Sequence, residues 1–366
     1  MKINVTKSSL PSFEEYCDEI KDIWDDCWLT NNGKKHKLLE TKLKAFLECE
    51  NLALFVNGHS ALESIIASYN FPLGSEIITT PFTFISTTNA IIRNGLVPIF
   101  CDIKNDDFTL DASKIEKLIT KKTVAILPVH VYGNICDIEQ IASLAKKYNL
   151  KVIYDAAHAF GTRYNGKPIS SFGDASMFSF HATKVFNTIE GGCVVVNDNS
   201  NKQCEKMNFL KNFGFKSEEE CVISGCNAKM NEFQASMGLC NLRHIDEYIL
   251  KRKEVYKRYC ERLLNKKGIG ICEIKSGIQS NYSYFPVLFD KKYYSRDEIK
   301  SKLEKYNIYT RKYFYPLTSD FECNAVFNKN NTPIAKRISE NILTLPMYSD
   351  LSLQDVDLIC NIILGE

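Results

Sequence analysis

Polar side chains stand at the ends of apolar, β-branched runs in this chain of 366 residues. Asp155 ends the run KVIYD, and Lys184 follows the run MFSF within the segment FSFHATK. Ligands of open parallel sheets bind beyond the carboxyl ends of the strands, so we expect both residues at a ligand-binding edge. A buried carboxylate needs a cationic or hydrogen-bonding partner, and a protonated heterocyclic nitrogen is one such partner. The simpler alternative is that Asp155 caps the following helix.

Lys184 suits Schiff-base chemistry, because an ε-amine at the edge of a closed pocket loses proton affinity when it is desolvated. Ser179 stands five positions earlier, and its hydroxyl could donate a hydrogen bond to an anion in the same pocket. Each residue alone also has an ordinary role, since most lysines are surface charges and a buried serine can bond to the backbone. Lys184 and Ser179 therefore indicate a catalytic site only in combination with the other polar residues at the strand ends.

The turn Asn57–Ser60 joins a predicted strand to a predicted helix. Unpaired amides and the helix dipole favour an anion such as a phosphate there, and Gly58 lets the ligand approach the backbone. The turn lacks the GxGxxG and GxxxxGKS/T patterns of nucleotide sites. Phe84 lies in a loop at another strand end, where it could cover a planar ring or pack in the core.

Two other kinds of site are disfavoured by the motifs. Residues that could bind a metal lie at or near strand ends, namely His130, Asp155, His158, Asp174 and His181. The sequence has neither HExxH nor a closely spaced Cys/His set, so we predict no metal. A Ser/His/Asp hydrolase is disfavoured because no GxSxG elbow is present.

Between residues 50 and 200 short apolar, β-branched runs alternate with amphipathic stretches, which is typical of a parallel α/β sheet flanked by helices. The predicted strands are Leu52–Val56, Glu76–Thr80, Val97–Cys101, Val124–Val129, Val152–Asp155, Met177–Phe180 and Cys193–Val196. The predicted helices between them are Ala61–Tyr69, Ala112–Ile119 and Ile138–Tyr148.

Beyond about Lys202 the pattern changes to long helices and then to a mixed α+β segment. We predict helices over Ala228–His244 and Asp246–Leu264 as a bridge between domains. The last part predicts a strand at Tyr282–Leu288, a helix opened by Ser295 and Glu298, a short strand near Ile308, and a final helix opened by Ser352 and Asp355.

Length and composition indicate a globular protein of two domains, because a single core rarely exceeds roughly 250–300 residues. We place the large domain at 1–245 and the small domain at 246–366. The formal charge of +2 gives no footprint for nucleic acid. The 14 cysteines lack CxxC pairs and predict reduced, mostly buried thiols. We see no signal peptide and no apolar span of about 18 residues, and we expect a cytoplasmic protein with no membrane partner.

Five residues on a seven-stranded α/β frame, namely Gly58, Asp155, His158, Ser179 and Lys184, resemble the site of fold type I pyridoxal-phosphate enzymes. The resemblance is closer to the DegT/StrS sugar-nucleotide aminotransferases. It is carried by the segments YDAAHAFG, FGDASMFSFHATK, EGGCVVVND, GCNAKMNEFQA and LTLPMYSDLSLQDV. It covers nearly the whole chain and implies that the large domain holds pyridoxal 5'-phosphate.

The resemblance also implies roles for single residues around the cofactor ring. Lys184 would carry the cofactor in a Schiff-base link. Asp155 would pair with the pyridinium nitrogen and keep it protonated, which makes the ring an electron sink. His158 stands where the family more often has Gln, beside the phenolic oxygen, and the imidazole can still form a hydrogen bond there.

Further implied roles concern the phosphate and a second subunit. Ser179 and the amides of Gly58 and His59 would bind the phosphate, although His59 replaces the family's usual Thr, which puts a side-chain contact in doubt. Phe84 would stack on the ring. Asn227 would reach the phosphate of the cofactor in a neighbouring subunit. The resemblance therefore implies a homodimer with shared active sites.

The segments FHATKVFNTIEGG and WLTNNG resemble family members that aminate C4 of a 4-keto-6-deoxyhexose. The implied reaction converts dTDP-4-keto-6-deoxyglucose to dTDP-4-amino-4,6-dideoxyglucose in O-antigen or other glycan biosynthesis. Glutamate would be the amino donor, through pyridoxamine phosphate, and Lys184 would move the proton between the substrate carbon and C4′ of the cofactor. His181, Tyr313 and Tyr315 are candidate substrate-facing residues, because the lysine loop and the segment RKYFYP carry them.

Three alternatives remain within and beside this family. One is amination at C3 of a 3-keto sugar nucleotide. The nearest, a pyridoxamine-dependent sugar dehydratase of the same family, is disfavoured, because that branch replaces the lysine by histidine whereas Lys184 is present. A non-catalytic regulatory relative is disfavoured, because a binding module does not need Asp155, Ser179, Lys184 and Asn227 together.

Overall fold

The computed structural model describes residues 2–198 and 201–366. The strands of these ranges are β1 (Asn51–Phe55), β2 (Glu76–Thr79), β3 (Val97–Phe100), β4 (Thr123–Ile126), β5 (Lys151–Asp155), β6 (Arg163–Tyr164), β7 (Lys167–Pro168), β8 (Ala175–Ser179), β9 (Gly192–Val196), β10 (Ile269–Ile271), β11 (Ile278–Gln279), β12 (Phe285–Phe289) and β13 (Ile342–Leu345).

The α-helices of the same ranges are α1 (Phe13–Asp26), α2 (Lys34–Phe46), α3 (Gly58–Ser68), α4 (Ile85–Arg93), α5 (Ala112–Ile115), α6 (Ile138–Tyr148), α7 (Lys202–Leu210), α8 (Glu232–Arg243), α9 (Ile245–Leu263), α10 (Arg296–Lys305), α11 (Pro333–Asn341) and α12 (Leu353–Leu364). None of them is long and apolar enough to cross a membrane.

Seven strands form the main sheet, in the order β1-β9-β8-β5-β4-β2-β3. The pairs β2/β3, β2/β4, β4/β5 and β5/β8 are parallel, whereas β9 runs antiparallel to both of its neighbours. All seven predicted strands are therefore confirmed, with ends that differ by at most three residues. The prediction of a mostly parallel sheet flanked by helices is also confirmed.

Both faces of this sheet are buried, because successive side chains of a strand point to opposite sides. In β1, Leu52 and Leu54 belong to the core on one face, and Ala53 and Phe55 belong to the core on the other. Burial on both faces explains why the strands read as continuous apolar runs rather than as alternating ones.

A second, antiparallel sheet of three strands, β10-β12-β13, forms the small α+β unit. Its core combines Phe285 and Leu343 from the sheet with Val255 of α9 and Ile359 of α12. Ile3 also packs into this core, so the N-terminal strand-like segment contacts the C-terminal unit. The domain boundary at 245/246 stays a prediction that the separate core supports.

Three sequence predictions need correction. The short strand near Ile308 is a single isolated bridge with Ile3, because no further residue pairs extend it. The α-helix predicted from Ala112 to Ile119 is shorter, because α5 ends at Ile115. A short 3-10 helix follows it over Glu116–Leu118. The helix predicted from Ala228 begins at Glu232, because Asn231 and Gln234 form a capping box that fixes its start.

The thiols differ from expectation as well. All fourteen cysteines are free, but only six are buried and four are exposed. The prediction of mostly buried thiols is therefore wrong. The N-caps predicted at Ser295 and Ser352 are confirmed, since each side chain accepts a hydrogen bond from the third amide of its helix.

Candidate active site

A cavity of about 650 Å³ opens at the carboxyl ends of β1, β2, β5 and β8. It brings together most of the residues that the sequence singled out, namely Gly58, His59, Phe84, Asp155, His158, Ser179, His181, Lys184 and Tyr313. Neighbouring parallel strands end at the same edge of a sheet, and this explains why residues far apart in sequence share the cavity.

One end of the cavity is built to receive an anion. At the start of α3, the side chain of Asn57 accepts the amide of Ser60 at 2.8 Å. The first amides of a helix have no intrahelical acceptor, so those of Gly58 and His59 remain available to a ligand. The helix dipole adds positive potential at the same point, and Ser179 contributes a hydroxyl.

Close backbone packing shapes this anion site. A Cβ atom on Gly58 would lie 2.9 Å from Cβ of Ser179, and one on Gly192 would lie 2.7 Å from Cα and N of Gly58. Only hydrogen fits at both positions. Glycines at 58 and 192 therefore let the first turn of α3 lie directly against the ends of β8 and β9.

The imidazole of His59 has other partners. Its Nδ1 lies 2.8 Å from the hydroxyl of Ser86, and its Nε2 lies 3.4 Å from the carboxylate of Glu63. Glu63 in turn pairs with Arg93. These contacts turn the ring toward α4, so an anion at the start of α3 would meet the amide of His59 rather than its side chain.

Asp155 ends β5 and is almost completely buried, with 4 % of its surface exposed. Its Oδ1 accepts the amide of Ala157 at 3.1 Å, and its Oδ2 accepts the hydroxyl of Thr87 at 2.7 Å. Burial raises the pKa of this carboxyl group, whereas the two hydrogen bonds and the charge of Lys184 act to lower the pKa. Asp155 does not cap a helix.

His158 is held in one tautomer. Its Nδ1 accepts the amide of Tyr132 at 3.0 Å, and burial keeps the pKa of the imidazole well below its usual value. A neutral ring that accepts at Nδ1 carries its proton on Nε2. The ring therefore offers one hydrogen-bond donor to the cavity. Tyr132 adopts a left-handed backbone conformation with φ of 59°, which orients this amide.

Lys184 follows β8 in a tight turn, where its amide donates to the carbonyl of His181 at 2.8 Å. Burial lowers the pKa of its ammonium group to about 8, although Tyr313 and Asp155 act in the opposite direction. The charge of Arg311 adds to the lowering. A substantial fraction of the amine is thus neutral near physiological pH, as nucleophilic or proton-transfer chemistry requires.

Several cavity residues were not found from the sequence. Arg311 is the one arginine that lines the cavity within the described residues, and its backbone pairs with that of Thr344 in β13. It donates to the hydroxyl of Tyr313 at 2.6 Å. The hydroxyl of Tyr132 donates to the carbonyl of Tyr313, so the turn after β4 and the C-terminal segment are joined. The one signal for Arg311 was its place in the segment RKYFYP.

Two predicted site residues lie outside the cavity of their own chain. Tyr315 is exposed and packs between the cationic groups of Arg296 and Lys312. Asn227 is exposed and accepts a hydrogen bond from Lys229 at 2.8 Å. The roles of Tyr315 with substrate and of Asn227 with a second subunit stay predictions.

A family model described as the DegT/DnrJ/EryC1/StrS aminotransferase family matches residues 12–364. The chain belongs to this family. The family predicted from the sequence is therefore confirmed, and with it the prediction of an enzyme of the aminotransferase class.

Curated relatives of the DegT/DnrJ/EryC1/StrS family match along their full length. The chain is 43 % identical over 355 residues to a dTDP-4-amino-4,6-dideoxy-D-glucose transaminase of Shigella dysenteriae, covering 96 % of this chain and 95 % of the relative. It is 41 % identical to a protein of the same name from Escherichia coli, covering 100 % of this chain and 98 % of the relative.

Solved structures of similar proteins share the whole fold. DesI, crystallised in the presence of its TDP-sugar product, superimposes with a TM-score of 0.93 at 28 % identity, covering 99 % of this chain and 92 % of that one. A structure described as a sugar aminotransferase of Streptococcus pneumoniae in its PLP form gives a TM-score of 0.91 at 25 % identity, with coverages of 100 % and 98 %.

Proposed function

We propose that this chain transfers an amino group to dTDP-4-keto-6-deoxyglucose, giving dTDP-4-amino-4,6-dideoxyglucose for O-antigen or other glycan biosynthesis. The observation that carries the proposal is the meeting of Lys184, Asp155 and the anion site at Gly58 in one cavity. Pyridoxal 5'-phosphate requires three features, namely an amine, a buried carboxylate and an anion site for its phosphate. The names of the two relatives above support the choice of sugar nucleotide.

The residues present fit this cofactor. Lys184 would hold it covalently, and Asp155 would face the ring nitrogen. Nε2 of His158 would donate to the phenolic oxygen, while Ser179 and the first amides of α3 would bind the phosphate. Phe84, whose ring is exposed at the rim of the cavity, would cover the face of the ring. When bound, the cofactor supplies an electron sink for charge that develops on the substrate carbon.

Lys184 would have a second task. Once the substrate amine has displaced it, its neutral Nζ can accept the proton from the substrate carbon and deliver the proton to C4′ of the cofactor. The lowered pKa of this amine suits the task, because a group that both accepts and donates works best near the ambient pH. His181 and Tyr313 lie at the same cavity and could contact the sugar.

We propose glutamate as the amino donor. Arg311 supports a donor with a carboxylate, because its guanidinium lies at the cavity and has no carboxylate partner among the described residues. A planar guanidinium binds a carboxylate with two parallel hydrogen bonds. Replacing Arg311 by Lys should raise KM for glutamate more than KM for the sugar nucleotide.

We also propose a homodimer with shared active sites. Asn227 supports it, because this residue is exposed and lies outside its own cavity, while Phe213 and Phe215 of the same surface segment are also exposed. A second copy on this segment would cover the aromatic rings and bring Asn227 to the neighbouring phosphate. The cytoplasmic location and the absence of nucleic acid, membrane and metal partners stay predictions.

Product analysis tests the reaction. The purified chain with added pyridoxal 5'-phosphate should absorb visible light, and borohydride reduction should fix the cofactor to Lys184. With glutamate and dTDP-4-keto-6-deoxyglucose, NMR of the product should place the new amine on C4. Amination at C3 would replace the proposed function by the alternative weighed above, and preference for a UDP sugar would correct the nucleotide.

Complementation tests the shared site. Lys184→Ala and Asn227→Asp should each be strongly impaired, the second because an added negative charge repels the phosphate. Mixed dimers carry one intact site, so an equimolar mixture should recover up to about a quarter of the native activity. A mixture no more active than the average of the two variants would contradict shared sites.

A further inference from the structure

The carboxylate of Asp155 is oriented by donors from two different elements. The amide of Ala157 comes from the turn after β5, and the hydroxyl of Thr87 comes from the first turn of α4. Each donor binds a different carboxylate oxygen. Since a carboxylate oxygen can accept two hydrogen bonds, both oxygens keep capacity for a donor in the cavity.

The direction of these hydrogen bonds can be assigned. An ionised Asp155 can only accept, so the hydroxyl of Thr87 donates its single proton to Oδ2. The hydroxyl of Thr83 lies 2.9 Å from that of Thr87, and it must then be the donor in that contact. Thr83, Thr87 and Asp155 thus form a buried chain in which every hydroxyl proton points toward the carboxylate. At most 4 % of any of the three is exposed.

We propose that Thr87, supported by Thr83, is a positioning residue that holds Asp155 ionised and aimed at the ring nitrogen of the cofactor. The inference rests on the proposed use of pyridoxal 5'-phosphate and goes beyond it, because Thr87 does not itself line the cavity and acts only through Asp155. Hydrogen bonds to a charged acceptor are stronger than neutral ones and strengthen further when they form a chain away from water.

Loss of the Thr87 hydroxyl would leave a buried carboxylate with one donor fewer. Asp155 would then accept a proton more readily, and the ring nitrogen of the cofactor would lose its proton at a lower pH. The ring would become a weaker electron sink. Proton transfer at the substrate carbon would slow, whereas binding of the amino donor, which does not involve this edge of the ring, would change little.

The experiment compares four variants of the full chain loaded with ¹⁵N-labelled pyridoxal 5'-phosphate. Thr87→Val keeps the shape but removes the hydroxyl, and Thr87→Ser keeps the hydroxyl but removes the methyl group. Thr83→Val removes only the outer donor. Thr88→Val is the matched control, because Thr88 is equally buried on the same helix but bonds to Thr318 at 2.9 Å, away from the cavity.

We expect the ¹⁵N chemical shift to show that the ring nitrogen loses its proton at a pH about one unit lower in Thr87→Val than in the native protein. Thr83→Val should shift the midpoint in the same direction by less. Thr87→Ser and Thr88→Val should titrate like the native protein. Steady-state kinetics of Thr87→Val should show kcat reduced roughly tenfold with KM for glutamate nearly unchanged.

A native ¹⁵N titration in Thr87→Val would overturn the proposal, as would equal shifts in Thr87→Val and Thr88→Val, which would indicate packing. Should Thr87→Val fail to fold, an unshifted Thr83→Val would overturn it. Failure of the native protein to bind the labelled cofactor would instead contradict the proposed function, so the two failures are distinguishable.

Discussion

The amide of Tyr132 donates to Nδ1 of His158 across 3.0 Å, and this one contact decides which nitrogen of the imidazole faces the cavity. Because the proton must then reside on Nε2, we expect His158 to act as a hydrogen-bond donor to the cofactor's phenolic oxygen. His158→Phe should weaken cofactor binding roughly tenfold, as expected for a lost bond to a charged oxygen.

Fluorescence titration of the cofactor-free protein with pyridoxal 5'-phosphate measures this effect. The control is His158→Gln, which restores a side-chain donor of the kind that the family more often uses and should bind within a few-fold of the native protein. Equal affinity in His158→Phe and the native protein would contradict the assigned donor.

The lowered pKa of Lys184 predicts a pH dependence for cofactor attachment. Only the neutral amine attacks an aldehyde, and its fraction rises with pH until the folded-state pKa of about 8 is passed. Trapping by borohydride after brief mixing should therefore accelerate about tenfold per pH unit below that value and level off above it. A rate that still climbs steeply at pH 10 would indicate an ordinary, exposed lysine.

The packing of Gly192 against Gly58 predicts a sensitive position outside the cavity lining. Gly192→Ala places a methyl group 2.7 Å from the backbone of Gly58, so α3 must move away from the sheet. We expect a loss of roughly 1–3 kcal/mol in the free energy of unfolding and weaker cofactor binding. Urea unfolding and cofactor titration measure the two effects.

Gly270→Ala is the matched control for this change. Gly270 lies in β10, where an added Cβ would approach no atom closer than 3.4 Å, which is ordinary van der Waals contact. The control should leave both quantities nearly unchanged. If Gly192→Ala bound the cofactor normally, the anion site would not depend on this close approach.

His36 predicts part of the acid sensitivity of the fold. It is buried on α2, neither ring nitrogen has a hydrogen-bond partner, and burial lowers the pKa of the imidazole to about 3. Below about pH 6.5 the imidazole of His36 binds a proton in the unfolded chain but stays neutral in the native fold. The contribution of His36 to the free energy of unfolding is therefore fully present above about pH 6.5. It falls as the pH drops toward 3, by at most about 1.4 kcal/mol per pH unit.

Urea unfolding of His36→Leu and the native protein between pH 7 and pH 5 tests this assignment. The variant should show a shallower loss of stability over that range, because leucine has no proton to bind. Identical slopes for the two proteins would show that other groups determine the acid sensitivity.

The sequence was sufficient for the sheet and for the residues that end its strands. Asp155 and Lys184 were predictable because an apolar run, a polar terminus and the geometry of parallel sheets together determine which edge a residue occupies. Helix α1 also carries a local start signal, since Ser12 caps it three residues before Glu15. Strand β13 is not predictable from its own residues, because a short, mostly apolar run such as ILTL fits a helix or a strand equally well.

The remaining site residues depended on contacts that no local pattern encodes. Thr87 reaches Asp155 from α4, and Arg311 reaches the cavity from the segment before Tyr313. Only tertiary packing determines how close these residues lie to Asp155 and Lys184. The same holds for the left-handed backbone at Tyr132, because a tyrosine carries no preference for that conformation. Propensity and periodicity describe elements, whereas a site is defined by how the elements meet.

The cavity takes its walls from residues as far apart as Asn57 and Phe314. A growing or truncated chain that ends before the segment around Tyr313 therefore contains Lys184 but lacks part of the wall around it. The yellow colour of retained cofactor would thus report completed tertiary assembly rather than helix or strand content, which gives a simple optical assay for variants that collapse without closing their active site.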